Sequence, residues 1–141
     1  MKKVLILENT PELTRQYERR VKLLGAGQKM KLLFAWSVAE AEKQYKENFN
    51  DLGAIAFCGY LNIEEREKRD GVKNIKHIIE IKDMLAHLAE KFREEDPKFL
   101  GPIIVTSCDP EAQDMLMKAG GNYCVSKNCL IDFLATLPDL S

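Results

Sequence analysis

The feature that most constrains this chain is an alternation repeated five times. A short apolar, β-type run is followed each time by a longer segment whose apolar residues recur every three or four positions. The runs are Val4-Leu5-Ile6-Leu7, then Lys31 to Trp36, Gly53 to Cys58, Pro102 to Ser107 and Tyr123 to Ser126. A continuous apolar strand has no polar face to offer water, so it must be covered on both sides. Single helices joining buried strands make right-handed crossovers, and these require a parallel sheet with helices on both faces. The expectation is one three-layer (βα)5 domain over residues 1–141, undivided by any linker, repeat or low-complexity stretch.

The helices announce their ends. Thr10-Pro11-Glu12 combines a hydroxyl N-cap, proline at the first helical position and an acid in the first turn. Leu13, Tyr17, Val21 and Leu24 then form one apolar stripe that stops at Gly25 and Gly27. Ser37-Val38-Ala39-Glu40 reads as a capping box, with Ala41, Tyr45 and Phe49 as the inner face of its helix. A long helix is predicted from about Lys73 to about Glu94, carrying Ile75, Ile78, Ile79, Leu85, Leu88, Ala89 and Phe92 inward. Asp109-Pro110-Glu111 opens the fourth helix, which closes at Gly120-Gly121, and Leu130 to Leu137 forms the last.

Composition narrows the function. Lys+Arg number 21 and Asp+Glu 22, a balance unlike that of a protein built to coat nucleic acid. The longest apolar runs are four to six residues and the mean hydropathy is −0.28, so no segment spans a bilayer. Val4 to Leu7 is too short for the core of a signal peptide, and a cytoplasmic chain with its four cysteines reduced is expected. The cysteines form no CxxC pair and have no histidines at zinc-finger spacing; His77 and His87, ten residues apart on one helix, lie off each other's face.

In an open parallel sheet, ligands bind beyond the carboxyl ends of the strands. Those ends hold Glu8 and Asn9 after strand one, Cys58 after strand three, Ser107 and Cys108 after strand four, and Ser126 and Lys127 after strand five. Their order and spacing resemble the receiver domain of two-component response regulators, a flavodoxin-like fold with strand order 2-1-3-4-5. Lys2-Lys3-Val4-Leu5-Ile6-Leu7-Glu8-Asn9 resembles the opening strand that delivers the family's acidic pair. Pro102 to Cys108 resembles the fourth strand, with its switch hydroxyl on Ser107, and Lys118-Ala119-Gly120-Gly121 followed by Lys127 resembles the Ala-Gly turn and the lysine of the fifth. The resemblance runs from Lys2 to about Leu137.

The departures from that pattern carry the functional expectation. Cys58 stands where the family's phosphate-accepting aspartate ends strand three, and Asn9 occupies the second position of the acidic pair. Magnesium needs hard oxygen ligands with one or two carboxylates, so a set reduced to Glu8 beside a soft thiol binds it weakly or not at all. Without the metal, charge on a transferring phosphoryl group goes unneutralised. The resemblance therefore implies a vestigial site, Glu8, Asn9, Cys58, Ser107 and Lys127, with no cofactor. Glu8 is either a solvated carboxylate or a partner for Lys127, and the ion pair is favoured over metal ligation because the missing acids leave the lysine one obvious counter-charge. The family's signalling aromatic falls on Cys124, with Tyr123 one residue early and so on the opposite face of the strand, and Asn128 replaces the usual proline. Between strand three and its helix, the charged stretch from Asn62 to Asp70 makes an unusually long connection.

The function expected is a stand-alone, receiver-like signalling module and not an enzyme, ending about where its fifth helix ends. It acts as a monomer or weak homodimer by contact with a protein partner through helix four, strand five and helix five. The alternative is a thiol-based redox or soft-metal sensor using Cys58, with Cys108 and Cys129 on the same sheet edge. A small enzyme or nucleotide binder on this scaffold would need a phosphate loop or catalytic dyad that the sequence lacks.

Overall fold

A computed structural model describes residues 2–8, 10–25, 29–58, 75–107 and 109–138. In chain order these form β1 (Lys2–Leu7), α1 (Pro11–Leu23), β2 (Met30–Ala35), α2 (Val38–Asn48), β3 (Leu52–Phe57) and α3 (Ile75–Glu94). β4 (Ile103–Val105), α4 (Pro110–Lys118), β5 (Tyr123–Cys124) and α5 (Leu130–Thr136) follow. The strands make one sheet in the order β2-β1-β3-β4-β5, and every pairing is parallel. The parallel (βα)5 sheet is the one expected from the alternation of apolar runs, and its flavodoxin-like strand order is the one the resemblance implied.

Side-chain alternation along the strands divides the core into two layers. Leu5 and Leu7, Ile55 and Phe57, and Ile103 and Val105 pack against Tyr45 of α2, Leu85, Leu88 and Phe92 of α3, and Leu116 of α4. Val4 and Ile6, Ala54 and Ala56, and Ile104 face the other way, onto Tyr17 and Val21 of α1 and Leu130, Ile131 and Leu134 of α5. The small residues of β3, Ala54 and Ala56, face the α1–α5 layer.

The predicted N-caps at Ser37 and Asp109 are present. Glu40 Oε1, however, accepts the side-chain amide of Gln44 at 3.2 Å and leaves the capping box one-sided, and Thr10 departs as well. Ser37 Oγ accepts the N–H of Glu40 at 3.1 Å and Asp109 Oδ1 accepts that of Glu111 at 3.1 Å. Thr10 stands at the N-cap of α1 in extended conformation, yet its side chain makes no capping bond. Its backbone N–H instead donates to Glu8 Oε1 at 3.1 Å, which ties the start of α1 to the end of β1. β4 and β5 are shorter than the apolar runs suggest, and the whole charged connection from Asn62 to Asp70 lies outside the described residues. No described helix is long and apolar enough to cross a membrane.

Candidate functional site

The parallel ladder runs on for one residue past the strands. The N–H of Glu8 donates to Ala35 O at 3.0 Å, that of Cys58 to Leu7 O at 3.0 Å, and that of Thr106 to Phe57 O at 3.1 Å. These bonds line up Glu8, Cys58 and Thr106 across the carboxyl edge of the sheet. By alternation each continues the face of Ile6, Ala56 and Ile104, so all three side chains point toward the α1–α5 layer. Glu8 and Thr106 are each 2% exposed and Cys58 is fully enclosed.

Two further groups close this pocket. Lys127, in the short 3-10 turn Lys127–Cys129 after β5, brings Nζ to 3.9 Å from Glu8 Oε2. From α1, Tyr17 extends its ring through the apolar layer and places its hydroxyl beside the Cys58 thiol. That hydroxyl is buried and meets no nitrogen or oxygen partner among the described residues, so the thiol, a weak acceptor, is its polar neighbour.

The electrostatics follow from enclosure. Burial pushes the Cys58 thiol up to about 12 and outweighs the lowering by the Thr106 hydroxyl; Glu8 adds to the rise, while Tyr17 and Lys127 oppose it. Burial raises Tyr17 as well, reinforced by Cys58 and Glu8. The sulfur is therefore a neutral thiol at physiological pH. Such a group is a poor nucleophile and a poor metal ligand.

Magnesium does not fit the groups gathered here. They supply one carboxylate already facing an ammonium, a neutral thiol and two hydroxyls, and Asn9, outside the described residues, has only an amide to add. No cluster of three or more His, Cys, Asp or Glu able to hold a metal occurs among the described residues.

Of the residues singled out from the sequence, Glu8, Cys58 and Lys127 come together. Ser107 turns elsewhere: its Oγ accepts the N–H of Asp109 at 3.2 Å, and its carbonyl accepts the side-chain amide of Gln113 in the opening turn of α4. Thr106, one residue earlier, supplies the hydroxyl against Cys58. Cys108 lies outside the described residues, and Cys129 and Cys124 are exposed. Tyr123 packs its ring 5.0 Å from that of Phe133 on α5 while remaining 43% exposed. The sequence reading missed Thr106 and Tyr17 as pocket residues. The available signal for Tyr17 was a hydroxyl-bearing side chain in the middle of an otherwise apolar stripe.

No protein-family model matches this sequence, and no curated protein matches it either. Solved structures do. A two-component response regulator from Clostridium difficile is similar over 96% of this chain and 90% of its own, with a TM-score of 0.62 at 15% identity. This chain has the receiver fold. The chemotaxis protein CheY4 of Vibrio cholerae matches with a TM-score of 0.62 at 14% identity, covering 96% of this chain and 97% of its own. The Mn(2+)-bound form of response regulator Rcp1 matches with a TM-score of 0.63 at 12% identity, covering 96% and 94%. At these identities the likeness is one of receiver fold, and the pocket residues of this chain must be read on their own chemistry.

Proposed function

We propose that this chain is a receiver-like signalling module that takes no phosphoryl group at the end of β3 and works by binding a protein partner. The observation that carries this reading is the enclosed, neutral thiol of Cys58 on the carboxyl edge of the sheet, where a receiver would present an anionic oxygen. A neutral thiol neither accepts phosphate from a phosphodonor nor recruits the cation that such transfer requires. The same burial weighs against the thiol-sensor alternative, because a sensing cysteine needs exposure and thiolate character. The contact surface is the face made by α4, β5 and α5, where Tyr123 and Phe133 form a half-open aromatic pair.

The test is cation binding, measured by calorimetry. Magnesium added to the wild-type protein is expected to give no saturable heat. The double variant Cys58→Asp with Asn9→Asp restores two oxygen anions beside Glu8 and is expected to bind the metal. Saturable magnesium binding by the wild type overturns the proposal.

A further inference from the structure

On the opposite side of the sheet, α2 and α3 meet at one end, where the rings of Tyr45 and Phe92 stack with centroids 4.3 Å apart. Alongside, the two helices leave an open groove of about 490 Å³. Its floor is formed by half-buried Val38 and Met84 over the buried Leu88. Its rim is charged: among the described residues Glu42, Glu90, Glu94 and Glu95 border it, against one ammonium, that of Lys91. That ammonium is already engaged, with Nζ 3.3 Å from Glu42 and 3.9 Å from Glu95. Among the described residues, the four carboxylates outnumber the one ammonium by three. From Met84 to Glu95 the groove follows three turns of helix, roughly 16 Å at 1.5 Å per residue.

We infer that this groove is a docking site for a basic amphipathic helix of a protein partner, distinct from the α4–β5–α5 face. An apolar floor binds the hydrophobic stripe of such a helix, in the manner of helix-in-groove recognition. The acidic rim selects lysine and arginine on its flanks and repels acidic segments. Groove-to-groove contact with a second copy is disfavoured, since both rims are negative. The inference does not depend on the state of Cys58, so it stands or falls separately from the proposed function.

The probe is a synthetic helix-forming peptide of about 14 residues, with leucines along one face and lysines elsewhere, long enough to span the groove. Its contacts are mapped by amide chemical shifts on the isotope-labelled full chain. Shifts are expected to concentrate on α2 and on α3 from residue 84 onward, and affinity to fall by roughly tenfold or more at high salt. The exposed pair Glu90→Lys with Glu94→Lys is expected to weaken binding by roughly tenfold or more. Glu12→Lys with Glu18→Lys changes the net charge equally on α1, in the other helical layer, and is expected to leave affinity within about twofold. The inference is overturned if both double variants lose affinity alike, if the shifts map elsewhere, or if a leucine/glutamate peptide binds as well. Self-association of the unliganded protein through the groove overturns it too.

Discussion

An enclosed thiol is inexpensive while it stays neutral and costly once it ionises, so Cys58 links the stability of the protein to alkaline pH. Its folded pKa, about 12, lies above its ordinary value of 9.0. A group raised in this way contributes its full stability below pH 9 and loses it as the pH climbs toward 12. The loss is about 1.4 kcal/mol per pH unit. Tyr45, raised to about 12 mainly by burial, adds a second loss that begins above its ordinary value of 10.0. Denaturant unfolding at pH 8 through 11 is expected to show a steep decline in the wild type and a shallower one between pH 9 and 10 in Cys58→Ala. Equal slopes would mean that the thiol ionises as freely in the folded chain as in the unfolded one. Iodoacetamide at pH 8 offers a direct companion measurement. Peptide mapping is expected to find Cys124 and Cys129 alkylated and Cys58 untouched, and a modified Cys58 in the folded protein would revive the sensor reading.

The elements are joined by local devices of unequal weight. Ser37 caps α2 through one hydrogen bond, and Ser37→Ala is expected to cost about 1 kcal/mol. At the other end of the molecule, Arg93 of α3 donates to the carbonyls of Phe99, Gly101 and Gly120 and to Asn122 Oδ1. It thereby joins the chain entering β4 to the turn entering β5. Gly120 is part of that joint: its φ is +129°, and an added Cβ would lie 2.6 Å from Arg93 Cγ. Gly25 also has positive φ, +67°, but open space around it. Thermal or denaturant unfolding should therefore rank Gly120→Ala, at about 2–3 kcal/mol, well above Gly25→Ala at about 1 kcal/mol. Equal costs would show that the Arg93 contact yields freely. Such joints are hard to see in a sequence, where Arg93 is one charged residue among several near the end of a long helix. The strands and caps were legible because they depend on neighbours in the chain. Which of two adjacent hydroxyls faces inward depends on how β4 pairs with β3, and the apolar run leaves that open. Thr106 took the pocket and Ser107 the helix start for that reason. Tyr17 escaped notice because the reach of its hydroxyl to Cys58 depends on the distance of α1 from the sheet.

At the scale of the whole molecule, the order of apolar runs was sufficient to predict a five-stranded parallel sheet, though not the order of its strands. Five buried strands joined by single helices leave few parallel arrangements, and the observed order β2-β1-β3-β4-β5 is the one the resemblance implied. The sheet brings Glu8, Cys58 and Lys127 together because parallel strands end on one edge, whatever side chains those ends carry. The chemistry of that edge is set by the residues placed there. Here they are an ion pair at 3.9 Å and a neutral sulfur enclosed by Tyr17 and Thr106. The most direct test is intact-mass spectrometry of the wild-type protein after incubation with acetyl phosphate and magnesium. An unchanged mass is the predicted result; a stoichiometric, acid-labile phosphoryl adduct would contradict it.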